Sequence, residues 1–264
     1  MTAGRRVVGL IGGSGLSDGF LGEGTRVHRV GTPWGAPSAP IVEASVAGLT
    51  LLFLPRHGTG HTIPPHRVNA RANVDALRSL GAEAIVTVSS VGSLKAELPP
   101  GTLVLPDQFV DQTRLRPTTF FDGGRVYHVS MADPFCPDLR RLAAAAGAAA
   151  GHPFSEPATY VCVEGPRFST RAESRLFRTY ADVIGMTLVP EVTLARERGI
   201  CYAALAMVTD FDVWAETPVS GAEIVATMGR NVGAMREVLA ALWPRIANDP
   251  VGCRCAHALD DAAI

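Results

Sequence analysis

Two carboxylates stand at the end of a stretch that predicts a buried strand. Residues 203–212 read A-A-L-A-M-V-T-D-F-D. Successive side chains of a strand point to opposite faces, so Asp210 and Asp212 share one face. A strand that is apolar along most of its length and acidic at its carboxyl end is typical of the edge of an open α/β sheet, where ligands bind. The alternative is a pair of loop aspartates that cap the next turn.

Three other predicted strands end in residues suited to holding an anion. They are residues 7–11 followed by G-G-S-G-L, residues 49–54 followed by P-R-H-G, and residues 84–88 followed by S-S-V-G-S. Hydroxyls, backbone N–H groups and one guanidinium can bind a tetrahedral oxyanion without a metal. We therefore expect a single anion pocket formed by Ser14, Arg56, Ser89 and Ser90. The first motif is not G-x-G-x-x-G and no Walker lysine follows it, which disfavours a dinucleotide or a nucleoside triphosphate. Three ordinary turns rich in Gly and Ser are the alternative.

These strand ends can meet only if one sheet holds the strands side by side. Strands alternate with helices along the chain, which predicts a single α/β domain over residues 1–264, with a mixed, mostly parallel central sheet flanked by helices. The predicted elements include strands at residues 102–110 and 126–129, a helix near 68–80, and a last helix at about 221–243 that Pro244 ends or kinks. A tail at about 249–264 follows.

The composition bounds the class of protein. The chain has 264 residues, of which 47% are apolar and only 6% aromatic, so its core is expected to consist of Ala, Val, Leu and Ile. The formal net charge of −1 gives no indication of a nucleic-acid or membrane partner. No apolar stretch approaches the roughly 20 residues that span a bilayer, and the first residues lack the layout of a signal peptide. We expect a cytoplasmic protein.

Five cysteines are present, and two of them form a C-x-C pair. Cys136, Cys162 and Cys201 lie in apolar surroundings and are interpreted as core thiols. Cys253 and Cys255 form either a redox-labile short-loop disulfide in the tail or two plain surface thiols. The sequence has no second Cys/His cluster at ligand spacing, so no metal site is predicted.

Several motifs together resemble the purine nucleoside phosphorylase superfamily, and more narrowly the S-methyl-5′-thioadenosine phosphorylases, over nearly the whole chain. They are G-G-S-G-L at 12–16, P-R-H-G at 55–58, E-G-P-R-F-S-T-R-A-E-S at 164–174, G-M-T-L-V-P-E at 185–191 and T-D-F-D at 209–212. The resemblance implies phosphorolysis of 5′-methylthioadenosine to adenine and 5-methylthioribose 1-phosphate, with a role in purine and methionine salvage. It implies a homotrimer or a dimer of trimers, and no cofactor, since inorganic phosphate is a co-substrate. The C-x-C pair resembles that of archaeal members, where such cysteines stabilise the fold.

The resemblance also assigns roles to individual residues. Phosphate would be bound by Ser14, Arg56, His57, Ser89, Ser90 and Thr187. Ser14 and Ser89 stand where the animal enzymes have threonines, and Gly185 replaces an asparagine of the animal form. The nucleoside would contact Met186 beneath the ribose and Phe168 and Ser169 at the base, with Ile224 and Leu259 at an apolar 5′ end. His128 and the tail around Leu259 would reach the site of a neighbouring subunit.

The two aspartates are expected to act on the purine. Asp210, with a pKa raised by burial and by the nearby Asp212, would protonate N7 of the leaving base. Asp212, ionised, would accept a hydrogen bond from the exocyclic amino group. A 6-oxopurine would face Asp212 with a second acceptor, so we expect it to be a poor substrate.

Three alternatives stay open at this point. A phosphorylase of the same fold could take inosine, guanosine, 5′-methylthioinosine or a 5′-halogenated 5′-deoxyadenosine. A hydrolase would release the same base with water, although water needs no anion pocket. A purine-sensing module would bind adenine without turnover.

Overall fold

Eleven strands within the described part of the chain form one mixed sheet. The computed structural model describes residues 6–13, 16, 24–215, 221–249, 252–260, 262 and 263. For residues 221–226 it describes only the backbone. The strands are β1 Val7–Gly12, β2 Arg26–His28, β3 Ile41–Val46, β4 Leu49–Pro55, β5 Ala84–Ser93, β6 Leu103–Val104, β7 Gln108–Gln112, β8 Phe154–Ser155, β9 Thr159–Val163, β10 Val183–Gly185 and β11 Cys201–Asp210. Their order is β2-β3-β4-β1-β5-β10-β9-β7, and β11 pairs with β5 and β6 while β8 pairs with β6. The predicted mixed, mostly parallel sheet in an α/β fold is confirmed.

Helices cover both faces of the sheet. They are α1 Ala70–Ser79, α2 Pro137–Ala149, α3 Arg171–Phe177, α4 Glu191–Glu197 and α5 Gly221–Asn248. One apolar core contains residues of α1 and α4, and a second contains residues of α2 and α5. Ile85 of β5 belongs to the first core, and its neighbour Val86 belongs to the second. Alternate residues of a central strand are thus buried on opposite faces, which is why these strands read as continuous apolar runs.

The parallel strands β4, β1, β5 and β11 lie side by side and bring their carboxyl ends to one edge. Leu10 is opposite Phe53 of β4 and Val86 of β5. Ala204 of β11 is opposite Thr87 of β5. The register of β11 shifts between Val208 and Asp210, where the strand ends at the acidic pair. The segments that carry the predicted site therefore converge.

Some sequence-based boundaries are wrong. The strand expected at 102–110 is divided into β6 and β7, with Pro106, which has no N–H to donate, between them. The segment 126–129 forms no strand and contributes only an isolated bridge between Tyr127 and Ala263. Helix α5 continues past Pro244 to Asn248. Strands β2 and β3 were not predicted; β3 pairs antiparallel with β4, and β2 pairs antiparallel with β3.

None of the helices within the described ranges is long and apolar enough to cross a membrane.

Candidate active site

A cavity of about 340 Å³ opens at the carboxyl ends of the parallel strands. Its volume is in the range of small-molecule sites. Ten of the residues predicted to bind phosphate or nucleoside line it together: Arg56, His57, Ser89, Ser90, Phe168, Ser169, Met186, Thr187, Asp210 and Asp212. Residues from five separate segments of the chain therefore meet at one place.

Arg56 forms a buried ion pair beside the cavity. Its Nε donates to Oε1 of Glu191 at 2.6 Å, and its Nη2 donates to Oε2 of Glu191 at 3.2 Å and to the hydroxyl of Thr87. Its Nη1 donates to the carbonyl of Val88 at 3.0 Å. Burial alone would lower the pKa of Arg56, but the Glu191 carboxylate outweighs it and raises the pKa. A guanidinium has five N–H groups, so within the described structure one of them, on Nη1, is left for a ligand.

Glu191 is held on several sides. It is the first residue of α4, is fully buried, and also accepts from the hydroxyl of Tyr202 at 3.1 Å. The negative charge of Glu191 compensates the positive charge of Arg56. The part of the cavity beside Arg56, here called the anion end, therefore carries little net charge. Hydroxyls and N–H groups must therefore supply much of the binding to any phosphate there.

His57 is neutral and its tautomer is fixed by geometry. Its Nδ1 lies 2.8 Å from the carbonyl oxygen of Ile63, which can only accept, so Nδ1 carries the proton. Burial, with the charge of Arg56, lowers the pKa of His57 to about 4. Nε2 is then an acceptor. The ring of His61 stacks on the ring of His57 with the centroids 4.4 Å apart, and His61 also lines the cavity.

A tyrosine hydroxyl lies next to the serine and threonine hydroxyls of the cavity. Tyr160 lies on β9, is fully buried, and its hydroxyl lies beside Ser89 and Thr187 without a hydrogen-bond partner in the described structure. Burial raises the pKa of Tyr160, so the group stays a protonated donor. A Cβ at position 185 would collide with this hydroxyl, which explains in steric terms why glycine stands there.

The two aspartates form the other end of the cavity. The carboxylate of Asp210 accepts from the hydroxyl of Thr209 and from the N–H of Asp212, each at 2.8 Å. Burial raises the pKa of Asp210. It also raises the pKa of Asp212, and the charge of Asp210 adds to this effect. Oδ2 of Asp212 is buried without a hydrogen-bond partner in the described structure. Such an acceptor is costly unless a ligand donates to the carboxyl group.

A glycine allows the carboxyl groups to pack here. A Cβ on Gly92 would lie 3.0 Å from Oδ1 of Asp210 and 3.3 Å from Cβ of Asp212. Asp212 itself has a φ of 49°, a left-handed conformation that Asp and Asn tolerate better than most residues.

Apolar side chains line the same cavity. They are Ile184, Met186, Met207 and Val232. Phe168 also lines the cavity, although 59% of its surface is exposed in this single chain. The site therefore combines an anion end, apolar side chains and an acidic pair.

Of the four remaining predicted residues, two lie outside the described part of the chain and two lie elsewhere. Ser14 and the side chain of Ile224 lie outside the described residues. His128 is exposed and its N–H donates to the carbonyl of Ala262 at 2.7 Å. Leu259 lines a separate surface depression with Asp75 and Arg198. The expectation that His128 and Leu259 reach a neighbouring subunit stays a prediction.

Sequence reasoning missed Glu191, Thr87 and Tyr160 as parts of the site. Glu191 is the last residue of the motif G-M-T-L-V-P-E. A carboxylate that directly follows a largely apolar segment is the sequence signal that could have identified it. Thr87 and Tyr160 lie inside apolar strands and carry no comparable signal.

Comparison with known proteins identifies the family. A family profile described as "Phosphorylase superfamily" matches residues 7–243. A relative from Thermofilum pendens, named S-methyl-5′-thioadenosine phosphorylase, is 52% identical over 259 residues, which cover 97% of this chain and 98% of the relative. A protein of the same name from Pyrococcus abyssi is 50% identical over 252 residues, covering 96% and 97%. The chain belongs to the S-methyl-5′-thioadenosine phosphorylase family of the phosphorylase superfamily.

Solved structures of this family agree with the fold. A methylthioadenosine phosphorylase from an antarctic soil metagenomic library superposes with a TM-score of 0.91 at 42% identity, covering 98% of this chain and 93% of the other. The methylthioadenosine phosphorylase of Schistosoma mansoni in complex with adenine gives a TM-score of 0.89 at 38% identity, with 93% of each chain covered. The resemblance read from the sequence motifs is confirmed.

Proposed function

We propose that this phosphorylase cleaves the N-glycosidic bond of 5′-methylthioadenosine with inorganic phosphate. The products are adenine and 5-methylthioribose 1-phosphate. The observation that carries the proposal is the arrangement of one cavity, with hydroxyls, His57 and a compensated arginine at one end and two buried aspartates at the other. The names of relatives at about half identity support the same substrate.

Phosphate is assigned to the end formed by Ser89, Ser90 and Thr187. These hydroxyls and the free N–H of Arg56 donate to its oxygens. Neutral His57 has an acceptor at Nε2, so it accepts from the single O–H of hydrogen phosphate and turns a charged oxygen toward the sugar. The role of Ser14 in this end stays part of the proposal.

The reaction forms a C–O bond and breaks a C–N bond at the anomeric carbon. A phosphate oxygen supplies the new electron pair as the electrons of the glycosidic bond pass to the purine. The purine would leave as an anion, so the proton of Asp210, whose pKa burial raises, passes to N7. Asp212 accepts from the exocyclic amino group and so selects 6-aminopurines. Positioning and fixed dipoles then supply most of the acceleration.

The nucleoside is assigned to the rest of the cavity. Met186 lies under the ribose, and Phe168 and Ser169 flank the base. Ile224 and Leu259 complete the 5′ end, which is apolar and therefore suits a methylthio group better than a hydroxyl.

We further propose a homotrimer or a dimer of trimers as the active assembly. Phe168 lines the cavity while more than half exposed, and Leu115 and Leu176 are also exposed in the single chain. A neighbouring subunit would cover such side chains and bring in His128 and Leu259. Light scattering after size exclusion tests this. We also propose a role in purine and methionine salvage, and the cytoplasm as the compartment, which cell fractionation tests.

The deciding experiment measures free base released from 5′-methylthioadenosine and from inosine, each with and without phosphate. Phosphate-dependent adenine release with inosine inert is the expected result. Release without phosphate would identify a hydrolase, adenine binding without turnover would identify a sensing module, and inosine cleavage would contradict the role of the aspartates.

The phosphate end is tested by Thr187→Val. Loss of a hydrogen bond to a charged group costs about 1.5–3 kcal/mol, so the phosphate KM should rise about 10- to 100-fold with little change in the nucleoside KM. Thr118→Val, at an exposed position, is the control. Equal effects on both KM values would remove Thr187 from the phosphate site. Arg56→Ala is a poor test, because it would leave the charge of Glu191 buried and unpaired.

A further inference from the structure

Four cysteines that are far apart in sequence meet in one cluster. They are Cys136, Cys201, Cys253 and Cys255. Their Sγ atoms all lie within 4.8 Å of one another. The Sγ atoms of Cys201 and Cys253 are 3.3 Å apart. All four are free thiols in this structure. The sequence has no second cluster at ligand spacing, but the fold brings two single cysteines from other parts of the chain to the C-x-C pair.

Backbone contacts hold the four residues in this arrangement. Cys136 is the N-cap of α2, and its N–H donates to the carbonyl of Tyr202, next to Cys201, at 2.9 Å. The carboxylate of Asp138, in the first turn of α2, accepts from the N–H groups of Gly252 at 2.7 Å and Cys253 at 2.9 Å. These contacts dock the tail on the start of α2 and bring Cys253 and Cys255 to the other two thiols.

The arrangement fits one tetrahedral ion. Zinc binds thiolate sulfur at about 2.3 Å, so four such ligands around it lie about 3.8 Å from one another. One observed separation is 3.3 Å and none of the others exceeds 4.8 Å, so the four sulfurs are close enough to share one such ion. Two disulfides would need only two close pairs, whereas here each sulfur is near all three others. The sequence spacing of the pair, C-x-C, is shorter than the usual C-x₂₋₄-C, but the other two ligands come from separate elements.

The surroundings favour bound thiolates. Cys136 and Cys255 are almost fully buried, and Cys201 and Cys253 are half-buried. The N–H of Leu139 donates to Sγ of Cys136 at 3.5 Å, and Nη1 of Arg196 donates to Sγ of Cys255 at 3.8 Å. A zinc ion with four thiolates has a net charge of −2, and such donors around the sulfurs offset it.

We propose that Cys136, Cys201, Cys253 and Cys255 bind one structural Zn²⁺ that fastens the C-terminal tail to the body of the domain. Four protein ligands leave no open position, so the ion takes no part in catalysis. Cys201 begins β11 and Asp210 ends it, which separates the cluster from the active site by about 30 Å at about 3.3 Å per residue.

The test uses the whole chain, purified under reducing conditions without chelator. Elemental analysis should find about one zinc per chain, and intact mass without reductant should show no loss of hydrogen from the cysteines. The reduced, metal-free protein should take up one Co²⁺ per chain, with the strong visible absorption of a tetrahedral cobalt thiolate. Zinc should raise the melting temperature of this metal-free protein by binding the folded state.

A variant outside the cluster gives the control. Cys162→Ser removes the fifth cysteine and should bind cobalt and zinc like the parent chain. Cys201→Ser should lose the cobalt absorption and the thermal shift while kcat and KM at moderate temperature stay unchanged. Cysteines oxidised in pairs without metal, a reduced protein that takes up neither ion, or unchanged binding by Cys201→Ser would each overturn the proposal.

Discussion

Replacement of Asp212 by asparagine is the sharpest test of how the enzyme selects its base. Asp212→Asn keeps the size and shape of the side chain and removes its charge. The backbone there has a φ of 49°, which asparagine tolerates, so the variant should fold. Any change in substrate preference can then be attributed to the hydrogen bond with the purine.

The expected magnitude follows from the bond that is lost and the one that is gained. A hydrogen bond to a charged group contributes about 1.5–3 kcal/mol, so kcat/KM for 5′-methylthioadenosine should fall about 10- to 100-fold. With 5′-methylthioinosine the amide can donate to O6, where the carboxylate faced a second acceptor. The ratio of the two kcat/KM values, measured at saturating phosphate, should therefore move toward the 6-oxopurine by about 100-fold or more.

Stability provides an independent readout of the same change. Burial raises the pKa of Asp212, so the folded state holds the proton of this carboxyl group more tightly than the unfolded state does. At a pH above the folded-state pKa, the ionised carboxylate therefore destabilises the ligand-free protein. Asp212→Asn should raise the melting temperature at neutral pH, and this gain should shrink as the pH falls toward the unfolded value of about 3.9. Asp133→Asn, at an exposed site, should change neither readout. An unchanged preference for the 6-amino substrate would refute the role of Asp212.

Three further predictions concern the phosphate end. Glu191→Gln leaves the buried charge of Arg56 uncompensated, so the free energy of unfolding, measured in urea, should fall by about 3–5 kcal/mol. Phosphate should stabilise this variant more than it stabilises the parent protein. An unchanged free energy of unfolding would contradict the role of the ion pair. The pKa of His57 falls from 6.5 to about 4 on folding, so the free energy of unfolding should decrease as the pH drops from 6.5 to 4. His57→Gln should reduce this pH dependence, measured by urea unfolding at several pH values. An unchanged pH dependence would refute the low pKa of His57. Gly185→Ala should lower the melting temperature by collision with the hydroxyl of Tyr160, and adding Tyr160→Phe should recover part of the loss; no recovery would mean that the collision is elsewhere.

Features that lie within one stretch of sequence could be predicted. The acidic pair was visible because an apolar run ends in Asp210 and Asp212, and the parallel register of β5 and β11 puts Asp210 beside Gly92, two residues beyond Ser90. The alternation of strands and helices predicted the sheet. Strand β2 was missed because its three residues are mostly exposed, so they carry no apolar pattern.

Features that depend on contacts between distant segments could not be predicted. Arg56 and Glu191 are 135 positions apart, and either could have faced phosphate or solvent on sequence alone. The cysteine cluster combines a helix cap, a strand start and the tail, so no spacing rule describes it. In both cases the folded geometry decides which charged or reactive groups meet.

The ion pair of Arg56 with Glu191 also bears on how phosphate reacts. Positive charge develops on the ribosyl ring as the base leaves, and a phosphate dianion nearby stabilises it. Two unit charges about 4 Å apart interact by about 4 kcal/mol at the effective dielectric of a protein site. An uncompensated arginine would bind phosphate more tightly but would also cancel part of this attraction. Because Glu191 already neutralises Arg56, the proposed assignment has phosphate held mainly by neutral donors, so that it keeps its charge for the transition state, where the interaction lowers the barrier.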